Sequence, residues 1–150
     1  MLGTPADIAF RISEHHIDAT AATLAAQAIG RRPDVGGLVT FEGRVRNHHG
    51  GRGVRALEYS VYRDLAEHEG QRIVRDAAVR LNLPIALVIH RVGPVPIGEM
   101  AVWVHVGAAH RDAAFAGCRE IIDEIKRSVP IWKHEWYDDG TDEWVLGSPG

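Results

Sequence analysis

Cysteine is all but missing: Cys118 stands alone in 150 residues. No intramolecular disulfide and no cysteine-based zinc site can form from it. Long apolar runs are also lacking, and none approaches the roughly 20 residues that cross a bilayer. The opening MLGTPADIAF has neither the basic nor the apolar region of a secretory signal, so the expected location is cytoplasmic, with no membrane partner. Excess positive charge is absent too. A net charge of −3 argues against a general nucleic-acid binder and fits local cation clusters serving a small anionic ligand. There is no P-loop, no G-x-G-x-x-G and no H-E-x-x-H, and no metal or cofactor is expected. No repeat, low-complexity block or linker interrupts the chain, so residues 1–150 are expected to form one domain, with 147–150 (GSPG) as a disordered tail. What is present is ordinary for a globular protein: 45% hydrophobic and 25% charged residues, enough for a real core.

The chain reads as strand pairs interleaved with helices. Alternation of Ile8, Phe10 and Ile12 predicts a strand over 7–13, and Asp18 is placed to cap an Ala-rich helix that Gly30 stops. Strands are predicted over 37–46 and 54–62, joined as one hairpin through a Gly-rich turn or loop, NHHGGRG. A helix follows over 63–82, with Leu65, Ile73, Ala77 and Leu81 on one face. Two apolar strands, IALVIHRV and MAVWVHV, flank the turn GPVPIG and make a second hairpin over 85–106. Phe115, Cys118, Ile121, Ile122, Ile125 and Val129 then recur at helical spacing until Pro130. Strands at 131–137 and 143–146 close the chain around DDGTD. The class is α+β, a largely antiparallel sheet with packed helices.

Cations cluster around the third helix. Arg111 falls inside its apolar arc and Lys126 on the edge, where charge is costly unless paired or facing a wet pocket. His110-Arg111 opens the helix, where free N–H groups favour anions. Arg44-Val45-Arg46-Asn47 ends a strand before the Gly-rich loop, a common ligand position. Lys133 lies beyond Pro130 among Trp132, His134 and Trp136. A lysine in such surroundings can serve as general base or nucleophile. Each residue has a structural alternative: a solvated strand edge for the arginines, dipole compensation for Lys126. The pairs His15-His16 and His48-His49 are less informative, and Cys118 on the apolar face reads as a buried thiol. At 1.5 Å per residue the helix from 111 to 126 is about 22 Å long. His110-Arg111 and Lys126 of one chain therefore cannot clasp one small ligand. Either there are two sites, or one site is assembled across a symmetric dimer, which is the favoured arrangement.

The runs FEGRVRNHH, IHRVG, AAHR and IKRSVPIWKHEW together resemble the catalytic (large) subunit of molybdopterin synthase, over roughly residues 36–145. The resemblance implies an α/β-hammerhead-type fold with a small antiparallel β subdomain. It implies conversion of cyclic pyranopterin monophosphate (precursor Z) to molybdopterin, a sulfurtransferase reaction that installs the dithiolene. The sulfur would come from the C-terminal Gly-Gly thiocarboxylate of a small ubiquitin-like carrier, with the large subunit dimerising into a heterotetramer. By position, Arg46, Lys126 and Lys133 match the family's catalytic cations. His110 and Arg111 match residues that complete the pocket from the second protomer, and Arg44, Val45, His134 and Glu135 would line the substrate site. Lys133 is the expected acid/base or covalent lysine with Lys126 assisting, although the division between them stays open. Sulfur arriving on a carrier removes the need for a reactive cysteine. The chain ends in Ser-Pro-Gly and not Gly-Gly, so it is not expected to be the carrier. Two departures stand out: His134 where relatives often have Arg, and an end soon after Val145 where relatives often continue. The rival readings are a non-catalytic anion- or nucleotide-binding module, a His-dependent metal hydrolase and a persulfide enzyme using Cys118.

Overall fold

The structure, a computed structural model, describes residues 6–146; the expected tail at 147–150 lies outside the described residues. In chain order the elements are β1 (Ile8–Ser13), α1 (Asp18–Gly30), β2 (Gly37–Arg44), β3 (His48–His49), β4 (Arg52–Val61), α2 (Arg63–Leu81), β5 (Ile85–Arg91), β6 (Gly93–Pro94), β7 (Met100–Ala108), α3 (Arg111–Ser128), β8 (Ile131–Tyr137) and β9 (Asp142–Leu146). None of the described helices is long and apolar enough to cross a membrane.

Four strands form the first sheet in the order β1-β5-β7-β2, with β1 parallel to β5 and the other pairs antiparallel. β5 and β7 read as near-continuous apolar runs because both their faces are covered. On one face α2 and α3 cluster with Phe10, Val88, Val102, Val104 and Val106. On the other, Ile17 and α1 residues Ala21 and Ala28 cluster with Leu87, Ile89 and Trp103. The second sheet is antiparallel, in the order β3-β4-β8-β9, with β6 added to β4. This is the expected α+β class, and the 85–106 hairpin forms as expected.

The expected hairpin over 37–62 does not form. β2 pairs with β7, and β4 pairs with β8 in the other sheet. Apolar β7 gives Val39 and Phe41 a ladder and a covered face. The register then shifts between Gly43 and Arg44, and the chain crosses between sheets at Val45, whose N–H donates to the Glu99 carbonyl (3.0 Å). The local hairpin is much smaller: His48 and His49 pair with Gly53 and Arg52 around Gly50-Gly51. Both glycines have positive φ (58° and 78°), as a two-residue hairpin turn requires.

Three smaller expectations also shift. Ile17, not Asp18, holds the start of α1, because its carbonyl accepts the first helical bond from Ala21. In α2 the buried stripe runs Ala66, Gly70, Ile73, Val74, Ala77 and Ala78, leaving Leu65 52% exposed. In α3 it runs Ala114, Gly117, Cys118, Ile121, Ile122 and Ile125, leaving Phe115 61% exposed and Arg111 outside the buried face.

Candidate active site

The crossing at Val45, the end of α3 and the inner face of β8 meet in one place. Val45 is buried and fixes its neighbours Arg44 and Arg46 at the rim of a cavity of about 200 Å³. Lys126 reaches it from the last turn of α3, just before Val129 leaves the helical conformation ahead of Pro130. Lys133 and Glu135 come from alternate positions of β8, directly opposite Tyr59 and Leu57 of β4. His48 and His49 complete the wall from the tight hairpin.

Four cationic side chains thus face the cavity with the Glu135 carboxylate among them. Arg44 is tied to Glu42 at 2.7 Å and donates to the Gly98 carbonyl at 3.0 Å. Glu135 is buried, and its oxygens are well occupied. Lys133 Nζ lies 2.7 Å from Oε1, while His49 Nδ1 (2.7 Å) and the Tyr137 hydroxyl (2.8 Å) approach Oε2. Burial acts to raise the Glu135 carboxyl, but hydrogen bonds from Lys133, His49 and Tyr137 outweigh it and hold the group below the usual carboxylate range. Burial first, then the negative charge of Glu135, pushes the Tyr59 phenol well above its ordinary value. Its hydroxyl therefore stays protonated at neutral pH. The arrangement can bind an anion, and it presents an ammonium whose position is set by a buried carboxylate.

The structure brings Arg44, Val45, Arg46, Lys126, Lys133 and Glu135 together. His134 lies on the other face of β8, because side chains alternate along a strand. Its ring stacks between Trp136 (3.9 Å) and Trp144 (4.2 Å), and its Nε2 sits 2.6 Å from Asp142. His110 and Arg111 are exposed at the opposite end of α3 and do not line the cavity of their own chain. His49 and Tyr59 escaped sequence reasoning. The usable signals were the Gly50-Gly51 turn directly after His49 and the two-residue period of β4. Cys118 is buried with Sγ 3.9 Å from the Val104 carbonyl, and burial pushes its thiol up to about 11, which removes the thiolate at neutral pH. Among the described residues no three His, Cys, Asp or Glu side chains are grouped to hold a metal ion.

A mixed sheet backed by helices and joined to an antiparallel sheet is a fold that known proteins share. The chain is 45% identical over 114 residues to the molybdopterin synthase catalytic subunit of Thermoplasma volcanium, covering 76% of this chain and 83% of that protein. The crystal structure of molybdopterin synthase from Staphylococcus aureus matches with a TM-score of 0.79 and 30% identity, over 89% of this chain and 94% of that one. A complex of subunits 1 and 2 of molybdopterin-converting factor from Helicobacter pylori shares the fold, with a TM-score of 0.71 and 20% identity over 91% and 88% of the chains. The MoaE protein family model matches residues 12–128. The chain belongs to the MoaE family, that of the molybdopterin synthase catalytic subunits.

Proposed function

We propose that this catalytic subunit transfers sulfur from the C-terminal thiocarboxylate of a small ubiquitin-like carrier to cyclic pyranopterin monophosphate, forming the molybdopterin dithiolene. The observation that carries the reading is the cavity in which Lys126, Lys133, Arg44 and Arg46 converge around buried Glu135. Arg44 and Arg46 suit the substrate phosphate, with Val45 shaping the wall between them. Lys133 is the acid/base or covalent lysine, and Lys126 stabilises developing negative charge beside it. The raised thiol of Cys118 supports delivery of sulfur from outside the chain. The two-subunit assembly of the Helicobacter pylori protein supports a carrier as partner. The reaction is placed in the cytoplasm.

His110 and Arg111 act from a second protomer. Lys126 lines both the cavity and an apolar groove along β2 formed with Phe41, Phe115 and Ile122. A second copy seated in that groove would bring its own residues beside the cavity. Two carriers on such a dimer make a heterotetramer.

The test is reconstitution of the protein with precursor Z and a thiocarboxylated carrier, comparing wild type with Lys133→Ala. Product from wild type alone is expected. Equal product from both would remove Lys133 from the mechanism. No product from either, with the carrier bound, would favour the non-catalytic anion-binding module.

A further inference from the structure

The Glu135 carboxylate is the buried hub of the cavity, and what holds it decides where Lys133 sits. Its Oε1 takes Lys133 Nζ at 2.7 Å. Its Oε2 has two neighbours, His49 Nδ1 at 2.7 Å and the Tyr137 hydroxyl at 2.8 Å. Tyr137 is a divided donor. Its hydroxyl carries one proton, and Glu143 Oε2 lies at the same 2.8 Å. Whenever that proton turns toward Glu143, His49 is the donor to Oε2 that remains. The ring nitrogen facing Glu135 must then be the protonated one, since a carboxylate oxygen only accepts.

His49 is delivered to this position by backbone and not by chance of rotamer. The Gly50-Gly51 turn sets His49 opposite Arg52, and the Val54 N–H donates to the Asn47 carbonyl at 2.8 Å. The hairpin therefore closes immediately behind the ring. The side chain of His49 keeps 38% of its exposure while Glu135 keeps 2%, so the imidazole stands between the buried carboxylate and solvent.

We propose that His49 is a positioning residue for sulfur transfer: by holding Oε2 of Glu135 it fixes the carboxylate that fixes Lys133. The inference rests on the reading that Lys133 works in that reaction. Removing the imidazole leaves Oε2 short of a donor in a buried site, which is costly, and opens a gap to water beside it. The carboxylate turns into that gap and Lys133 is released from Oε1. A misplacement of about an ångström at a reacting group costs up to about a hundredfold in rate.

Two variants test this in the reconstituted two-subunit enzyme. His49→Asn keeps an amide N–H near the place of Nδ1, and His49→Ala removes the donor. For His49→Ala, kcat is expected to fall about ten- to a hundredfold. KM for precursor Z and carrier affinity should stay near wild type, the thermal midpoint should fall by only a few degrees, and His49→Asn should recover most of both losses. A second readout is independent of turnover: the rate at which an amine-directed reagent labels Lys133, followed by peptide mass spectrometry. Labelling should rise severalfold in His49→Ala and match wild type in His49→Asn. Unchanged Lys133 labelling in His49→Ala overturns the proposal, as does an equal loss of kcat in both variants or a loss confined to KM or thermal stability. If wild type makes no product, the sulfur-transfer reading fails by itself, and the labelling comparison still decides whether His49 positions Lys133.

Discussion

His90 on β5 is fully buried, with Nδ1 2.8 Å from the Arg91 carbonyl and its ring edge-on to Tyr59, a wall of the cavity (5.3 Å between centroids). Burial lowers its pKa from 6.5 to about 4, against a small opposing effect of the Arg91 carbonyl. The imidazole is thus neutral in the folded protein at every pH where the cavity operates. The unfolded chain takes up a proton near 6.5 and the folded one resists until about 4. The stabilisation from a neutral His90 is therefore full above 6.5 and is lost as pH falls toward 4. At about 1.4 kcal/mol per unit, that loss is roughly 3 kcal/mol. Urea unfolding at a series of pH values should show it, and His90→Phe should flatten the slope over this window. An unchanged slope would assign the acid sensitivity to other groups. Single residues also mark how far sequence could reach. Lys126 was legible from helix periodicity, Lys133 from its place beyond Pro130 among aromatic residues and Arg46 from the strand end before the Gly-rich loop, whereas Glu135 came only with the family resemblance. His49 was not legible, because its partner Glu135 is 86 residues away and only the register of two sheets joins them.

At the scale of elements, periodicity located the helices and most of their buried faces, but not the residues that pack near each helix start. Ile73 and Ala77 of α2 and Cys118, Ile121, Ile122 and Ile125 of α3 are buried as expected, but Leu65 and Phe115 are exposed, and the small residues Ala66, Gly70, Ala114 and Gly117 make the contact there. Small residues carry little hydrophobic signal, yet they let a helix lie close to a sheet. Gly70 shows why: a Cβ there would run into the Phe10 ring of β1. Gly70→Ala should gain about 1 kcal/mol of helix propensity and lose about 1–3 kcal/mol to overpacking, a net loss in urea unfolding. Gly30→Ala is the control, with nothing within 4 Å of its new methyl, and should be neutral or stabilising. Strand existence was equally legible, and strand partnership was not. Local alternation in 37–62 describes two strands well, but β2 gains more by joining β7 across the first sheet than by folding back on β4. That exchange creates the candidate cavity, because the crossing it forces at Val45 puts Arg44 and Arg46 at its rim.

At the scale of the whole molecule, α3 is a spacer. Its start carries His110 and Arg111, its end carries Lys126, and the helix keeps them about 22 Å apart at 1.5 Å per residue. If a site needs both ends, it takes them from two chains, and this can be tested without a structure of the assembly. A chain bearing Arg111→Ala should be inactive, and so should one bearing Lys133→Ala. Mixed, refolded together and supplied with carrier and precursor Z, the two should form hybrid dimers in which one cavity carries both defects and the other none. Random pairing of equal amounts makes about half the dimers hybrid, so roughly a quarter of wild-type activity should return. A cavity built from one chain alone would recover nothing, because every protomer in the mixture would carry a defect in its own site. Recovery therefore reads directly whether His110 and Arg111 serve the cavity of their own chain or that of a second copy.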